Sequence, residues 1–160
     1  RQPMAVDLRF ITSAMKIVTD LERMGDEAVN IAERAIPLNQ EPQLKPYIDI
    51  PQMAEIAQSM IRDVLSSFLN RNSKQARSVC ERDDLVDGLN DQVFRELLTY
   101  MISDPTTIAR AVHLLIVSRS LERIADHATN IAEDVIFMVD ALVIKHHADA
   151  KGQTNDARYR

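Results

Sequence analysis

Glycine is scarce in this 160-residue chain, with three copies; tryptophan is absent, and aromatic residues make up 4% of the whole. Strands draw on aromatic and β-branched side chains, whereas Ala, Leu, Ile, Met, Arg, Asp and Glu dominate here, so composition favours helices over strands. Cys80 is the single cysteine. It has no partner for an intrachain disulfide, its apolar-periodic surroundings mark a packed thiol, and its solitude fits a reducing cytoplasm. No basic run interrupts a formal net charge of -5, which argues against a nucleic-acid surface, since such a surface needs clustered Lys and Arg to replace counterions. No apolar run approaches the roughly 18 residues needed to span a bilayer, leaving only a peripheral membrane role. The chain also lacks a P-loop, an HExxH motif, a CxxC pair and a nucleophile elbow. No histidine has a glutamate three residues before it, which removes the Glu-x-x-His signature of ferritin-like di-iron sites.

Six prolines punctuate the sequence, and proline is costly inside helices, so the long intervals between them are where helices belong. Apolar residues at spacings of three and four predict a first helix from about Met4 to Ile36, with Phe10, Ala14, Ile17, Leu21, Met24, Ala28, Ile31 and Ala35 as its stripe. Residues 37–51 read as a proline-rich linker. A second helix is expected from about Pro51 to Leu69, burying Met53, Ile56, Met60, Val64, Phe68 and Leu69. A third runs from Ser73 or Lys74 to Ile102 over Val79, Val86, Leu89, Val93 and Leu97. Asp104 is the expected N-cap of the fourth, with Pro105 at its first position, and no glycine or proline stops that helix before His146. Residues 147–160 read as a flexible tail. Short connections make the last three helices antiparallel neighbours, an all-α, up-down-up bundle over 52–146.

Residues 21–36, LERMGDEAVNIAERAI, return as LERIADHATNIAEDVI at 121–136, with 10 of 16 positions identical. The repeat predicts a duplicated three-helix unit whose first copy is represented by its last helix alone, residues 1–36. On that expectation roughly 55 to 75 residues of a longer protein would precede Arg1. Packing explains the apolar matches. The polar matches are Glu22, Arg23, Asp26, Asn30 and Glu33 against Glu122, Arg123, Asp126, Asn130 and Glu133. At 100° per residue, Glu122, Asp126, Asn130 and Glu133 share an arc of about 80°, well away from the apolar stripe, so these side chains are expected to face solvent or a partner. Asp83, Asp87 and Asp91 form a similar strip on the third helix. Like charges four residues apart destabilise a helix by about 0.2 to 0.5 kcal/mol, so an offsetting cation is implied. Two readings stand at this point. Arg119, Arg23 and Arg123, each three residues before a carboxylate, supply it through surface salt bridges; alternatively a metal ion does, and an oxygen-only ligand set suits Fe(III), Mn(II) or Mg(II) better than structural zinc. His113 and His127 read as packed or surface side chains. Phe94, Leu98 and Met101 continue the third helix's acidic strip as an apolar one, open to reading as either core or a surface for another bundle or subunit.

In combination, RQPMAVDLRFITSAMKIVTDLERMGDEAVNIAERA, RDDLVDGLNDQVF and SRSLERIADHATNIAEDVIFMVDA resemble the PhoU family. That resemblance implies a fold of two similar three-helix bundles, of which this chain would hold one complete bundle and the last helix of another. It implies metal clusters, iron or zinc among them, on bundle surfaces through Glu/Asp-x-x-x-Asp motifs. Three copies match: Glu22 with Asp26, Asp83 with Asp87, and Glu122 with Asp126. Asn30, Asn130 and Asp91 are additional candidates, from their place on the strips. The resemblance further implies a cytoplasmic homodimer without catalytic activity, a negative regulator of the phosphate regulon. Its expected partners are the ATPase subunit of the phosphate-specific ABC transporter and the phosphate-sensing histidine kinase, which alone would bring it to the membrane. Two rival functions remain open, a metal-dependent phosphate-ester hydrolase and a metal-free helical scaffold.

Overall fold

In a computed structural model, residues 3–156 are described, with side chains over 8–140. Five helices follow one another: α1 (Pro3–Leu38), α2 (Asp49–Asn70), α3 (Ser73–Cys80), α4 (Asp83–Ser103) and α5 (Ile108–Asp156), the last preceded by a 3-10 turn at Pro105–Thr107. No strand occurs among the described residues. None of these helices is long and apolar enough to cross a membrane.

Pattern and caps place the elements. Arg71, at φ 50, ends α2 in the left-handed region, returning its N–H to the Phe68 carbonyl, and the Asn72 side chain accepts from Gln75 N–H to start α3. Asp104 caps as expected: its side chain accepts from the backbone N–H of Thr106, with Pro105 at the head of the turn. The expected third helix is in fact two. Arg82 Nε donates to the Ser78 carbonyl, the group that its own backbone N–H would take in a continuous helix, and that N–H turns to Val79 instead. The Arg82 guanidinium also holds Ser59 and Asp63 of α2. Tertiary hydrogen bonds thus break a helix that the apolar period alone would carry through. Helix α5 does not stop near His146 but continues to Asp156, through residues such as Ala148, Ala150 and Lys151 that favour helix; residues 157–160 lie outside the described part.

α2, the α3–α4 pair and α5 form the up-down-up bundle. Met53, Met60, Val64, Val79, Val86, Val93, Leu97, Ala125, Ala128, Ile131, Ala132 and Val135 meet in its core, nearly or fully closed to solvent, and each larger side chain contributes about 1.5 to 3 kcal/mol by burial. Leu69 departs from the expected stripe and is 78% exposed, because it follows Phe68 onto the outer side of the last turn. The expected linker is shorter at both ends, since α1 reaches Leu38 and α2 begins at Asp49. It lies as a strap on the bundle: Leu44 packs on the core, Arg110 binds Glu41 and the Pro42 carbonyl, and buried Lys45 is held by Glu96 and Asp49.

α1 lies antiparallel along α5 and touches α2 through the Phe10–Phe68 stack. Its buried stripe is Ser13, Ile17, Asp20, Met24 and Glu27, alternately polar and apolar. The polar members find partners on α5: Asp20 with His127 at 2.9 Å, and Glu27 with Arg123 at 3.1 Å. Leu8, Ile11, Met15, Val18, Val29 and Ile36 lie on the opposite side, more than half exposed.

Candidate metal centre

The carboxylates sit on facing turns of α4 and α5. These helices run antiparallel, their register set by the Ser118 hydroxyl, which donates to Asn90 Oδ1 at 2.7 Å beside Met53. One turn along, the same register brings Asp87 opposite Glu122 and Asp126, with one ligand atom from each all within 4.8 Å of one another. Asp83 lies a turn before Asp87 and within electrostatic reach of Asp126. The i, i+4 spacing within each helix becomes a three-carboxylate cluster, with Asp83 a turn away, only because the two strips meet.

Glu122 corrects one expectation. It is not solvent-facing but 8% exposed, because α5 is the central helix, contacted by α1, α2, α3 and α4, and has no single outer face. Its Oε1 accepts from Arg119 at 2.7 Å, while Oε2 is buried without a partner. Asp83 Oδ1 and Thr129 Oγ1 are likewise buried and unpartnered; the threonine hydroxyl leans toward Asp83 without a hydrogen bond of regular geometry. A buried acceptor left unmade costs on the order of 1 to 3 kcal/mol, so the free Glu122 oxygen beside Asp87 and Asp126 suits an added cation, while Asp83 and Thr129 adjoin each other about two turns further along α5.

The electrostatics agree. Burial, then the Asp126 charge, push the carboxyls of Asp83, Asp87 and Glu122 above the ordinary range, and Arg119 tempers the rise at Asp87 and Glu122. At 4.8 Å, two full charges in surface-like surroundings repel by about 3 kcal/mol. A proton, an arginine or a metal ion can relieve that repulsion. Oxygen donors from two helices fit a hard or intermediate divalent ion, with Asp87, Glu122 and Asp126 to hold it and Asp83 and Thr129 each a turn away. Such an ion would pin α4 to α5 and neutralise the patch.

Other candidates are placed elsewhere. Asp91 continues the α4 strip a turn beyond Asp87 and adds to its negative field without joining the group. Glu22 stays on the exposed face of α1. Asp26 lines a groove of about 400 Å³ between α1 and α5, shared with Arg23, Arg123, Asp126 and Asn130. Asn30 donates to Glu27 at 3.2 Å. Arg123 does not pair with Asp126 as its spacing suggested; it reaches Glu27, which hydrogen bonds from Ser120, Asn30 and Arg123 hold below the usual carboxylate range despite burial. Thr129 escaped the sequence reading, although extending the strip by three residues from Asp126 leads to it. Cys80 is half-buried, and burial, then Glu133, raise its thiol above the usual range, as for a packed thiol.

The family model described as PhoU domain matches residues 1–35 and 50–135. A phosphate-specific transport system accessory protein PhoU homolog from Aquifex aeolicus is 52% identical over 95% of this chain and 69% of its own length. Its counterpart from Caulobacter vibrioides is 47% identical over 86% of this chain and 60% of its own. The chain therefore spans roughly three fifths to two thirds of such relatives. Among solved structures, PhoU from Pseudomonas aeruginosa superposes with a TM-score of 0.84 at 43% identity, covering 88% of this chain and 68% of that one. The phosphate transport system regulatory protein PhoU from Streptococcus pneumoniae does so at 0.74 and 29%, covering 83% and 63%. An all-α bundle, a repeated Leu-Glu-Arg helix and these matches lead to one conclusion: the chain belongs to the PhoU family.

Proposed function

We propose that this chain serves phosphate transport as a regulatory adaptor, a negative regulator of the phosphate regulon. In this reading it links the ATPase subunit of the phosphate-specific ABC transporter to the sensor histidine kinase from the cytoplasm, as a homodimer. The observation that carries the reading is the match along residues 1–35 and 50–135 to the PhoU domain, together with relatives named as accessory proteins of phosphate-specific transport. The carboxylate centre acts as a structural metal site: iron, zinc, manganese or magnesium bound by Asp83, Asp87, Glu122 and Asp126 would cross-link α4 and α5 and remove the charge of an acidic patch. Asp26 borders the same groove as Asp126 and supplies a further candidate ligand. Glu22, on the exposed face of α1, keeps its candidacy from the motif alone. No bond-making step is assigned to any residue. A hydrolase would need open coordination positions inside a shaped pocket, and the groove beside Asp126 is open.

The test is expression of this chain in a bacterium that lacks its own PhoU-family protein, with a phosphate-starvation reporter followed in phosphate-rich medium. The expected outcome is a silenced reporter, with purified chain retaining both the transporter ATPase and the kinase in a binding assay. A reporter that stays active while the folded chain accumulates would remove the adaptor reading. Phosphatase turnover that disappears in Asp87→Asn would favour the hydrolase.

A further inference from the structure

We propose that Arg119 is a built-in competitor at the carboxylate centre, an exchangeable cation that a divalent metal ion must displace from Glu122. The inference rests on the metal reading of that centre and adds how its occupancy is set. Arg119 Nη1 donates to Glu122 Oε1 at 2.7 Å, and the two side chains differ sharply in exposure, 57% against 11%. Glu122 is therefore the fixed partner and Arg119 the one free to swing into solvent. Its guanidinium charge also acts on Asp87 across the helix pair, tempering the rise of that carboxyl. The other oxygen of Glu122, buried and unpartnered, shows that the arginine satisfies the site incompletely.

Arg123, one turn further along α5, also tempers the rise of the Glu122 carboxyl by its charge, but its hydrogen bond goes to Glu27 of α1 at 3.1 Å and not to Glu122. Among the described residues, Arg119 hydrogen-bonds only to Glu122. The repeat supplies an independent contrast. Glu22, Arg23 and Asp26 match Glu122, Arg123 and Asp126, but the residue matching Arg119 is Thr19, whose hydroxyl donates to its own helix at the Met15 carbonyl. Within the repeated helix, the cation three residues before the glutamate thus occurs at Arg119 and not at Thr19. Energetically the exchange is feasible: a half-exposed ion pair contributes about 0.2 to 1 kcal/mol, whereas a divalent ion brings twice the charge and direct coordination to several oxygens.

Titration with Mn(II), followed through the electron paramagnetic resonance signal of the free ion, tests this on the whole chain. Arg119→Gln is expected to bind Mn(II) about threefold to tenfold more tightly than the parent, the gain set by loss of one ion pair and one repelling charge. Arg119→Lys, which keeps the charge, should stay near the parent value. Lys16→Gln removes an equal charge beside Asp134, about 12 Å along α5 from Asp126, and should change affinity less than about twofold, since that distance exceeds the screening length in physiological salt. Equal or weaker binding by Arg119→Gln would overturn the proposal, because it would mean that the arginine orients Glu122 for metal or has no part in binding. A Lys16→Gln gain as large as that of Arg119→Gln would also overturn it, assigning the effect to net charge. Absence of Mn(II) binding in every variant would remove the metal reading itself and the competitor with it, whereas parent binding without an Arg119 effect would remove the competitor alone.

Discussion

Asp87 faces Glu122 and Asp126 across a helix pair at distances that no set of free carboxylates would choose. Relief of that repulsion by a cation and relief by substitution have opposite consequences for binding. Replacing Asp87 by Asn removes one charge while keeping the side chain's shape, so the metal-free protein is expected to gain about 0.5 kcal/mol, the scale of like-charge effects on a partly exposed surface. The same change should weaken divalent metal binding at least about tenfold. Denaturant melts with and without Mn(II) check both signs together: the metal-free midpoint rises and the metal-induced shift disappears. A variant that loses stability without metal would show that Asp87 makes a structural contact instead. At this scale much of the centre was legible. Asp83, Asp87, Glu122 and Asp126 carry the Glu/Asp-x-x-x-Asp spacing on their surface, and Arg119 could be seen as a counter-ion three residues before Glu122. Thr129 and the burial of Glu122 were not, because one helix's angular pattern says nothing about how many neighbours surround it.

Among the elements, the strap between α1 and α2 shows how side chains convert a linker into structure. Pro42 and Pro46 mark it as non-helical, while Pro37 and Pro51 fall within the end turns of α1 and α2; Lys45, Asp49, Glu96 and Arg110 decide where it lies. Lys45 is enclosed, so replacing it with Met would leave Asp49 buried without its cation beside Glu96. The expected cost is about 1 to 3 kcal/mol, below the range for a fully buried pair because Glu96 keeps partial access to water. Lys16→Met, which breaks the exposed pair with Asp134, should cost less than about 0.5 kcal/mol. Urea unfolding of the two variants measures the difference, and equal midpoints would mean that the strap contributes nothing. The α3–α4 break belongs to the same scale. The apolar period of Val79, Val86 and Val93 runs straight through it, and at the break Arg82 reaches Ser59 and Asp63 of α2. α1 is instructive in the same way: its apolar residues extend around the helix, and the side buried on α5 is selected by Asp20 and Glu27 finding His127 and Arg123.

For the molecule as a whole, the carboxylate centre sets an unusual response to acid. A carboxyl whose folded pKa lies above its unfolded value binds protons more readily in the native state, so stability falls as pH rises between the two values. Asp83, Asp87 and Glu122 all shift upward, by burial first and neighbouring charge second. Metal-free protein should therefore become more stable as pH falls from neutral into the region just above the ordinary carboxylate range. Glu27 works in the opposite sense: its folded pKa is lowered, by hydrogen bonds that outweigh burial, so its contribution is present above the ordinary glutamate value and is lost below it. The combined expectation is a maximum on the acidic side of neutrality, recorded as the thermal midpoint across a pH series with chelator present. Stability that only declines on acidification from neutral pH would contradict it. Bound metal should remove the maximum, since the ion and the protons compete for the same oxygens.

Helix content, the repeat and the spacing of the four candidate carboxylates were determined by the sequence itself, because each depends on residues within a few turns of one another. Proline placement, a 3.6-residue apolar period and i, i+4 spacing are local properties, and local physics reads them directly. The convergence of Asp87 with Glu122 and Asp126, the burial of Glu122, the commitment of Arg123 to Glu27 and the pinning of the strap by Lys45 were decided only by tertiary structure. Each joins residues far apart in sequence, through the register of α4 on α5 and of α1 on α5. That register is set by packing of the whole core and by a few buried polar contacts such as Ser118 with Asn90, and no single helix carries it.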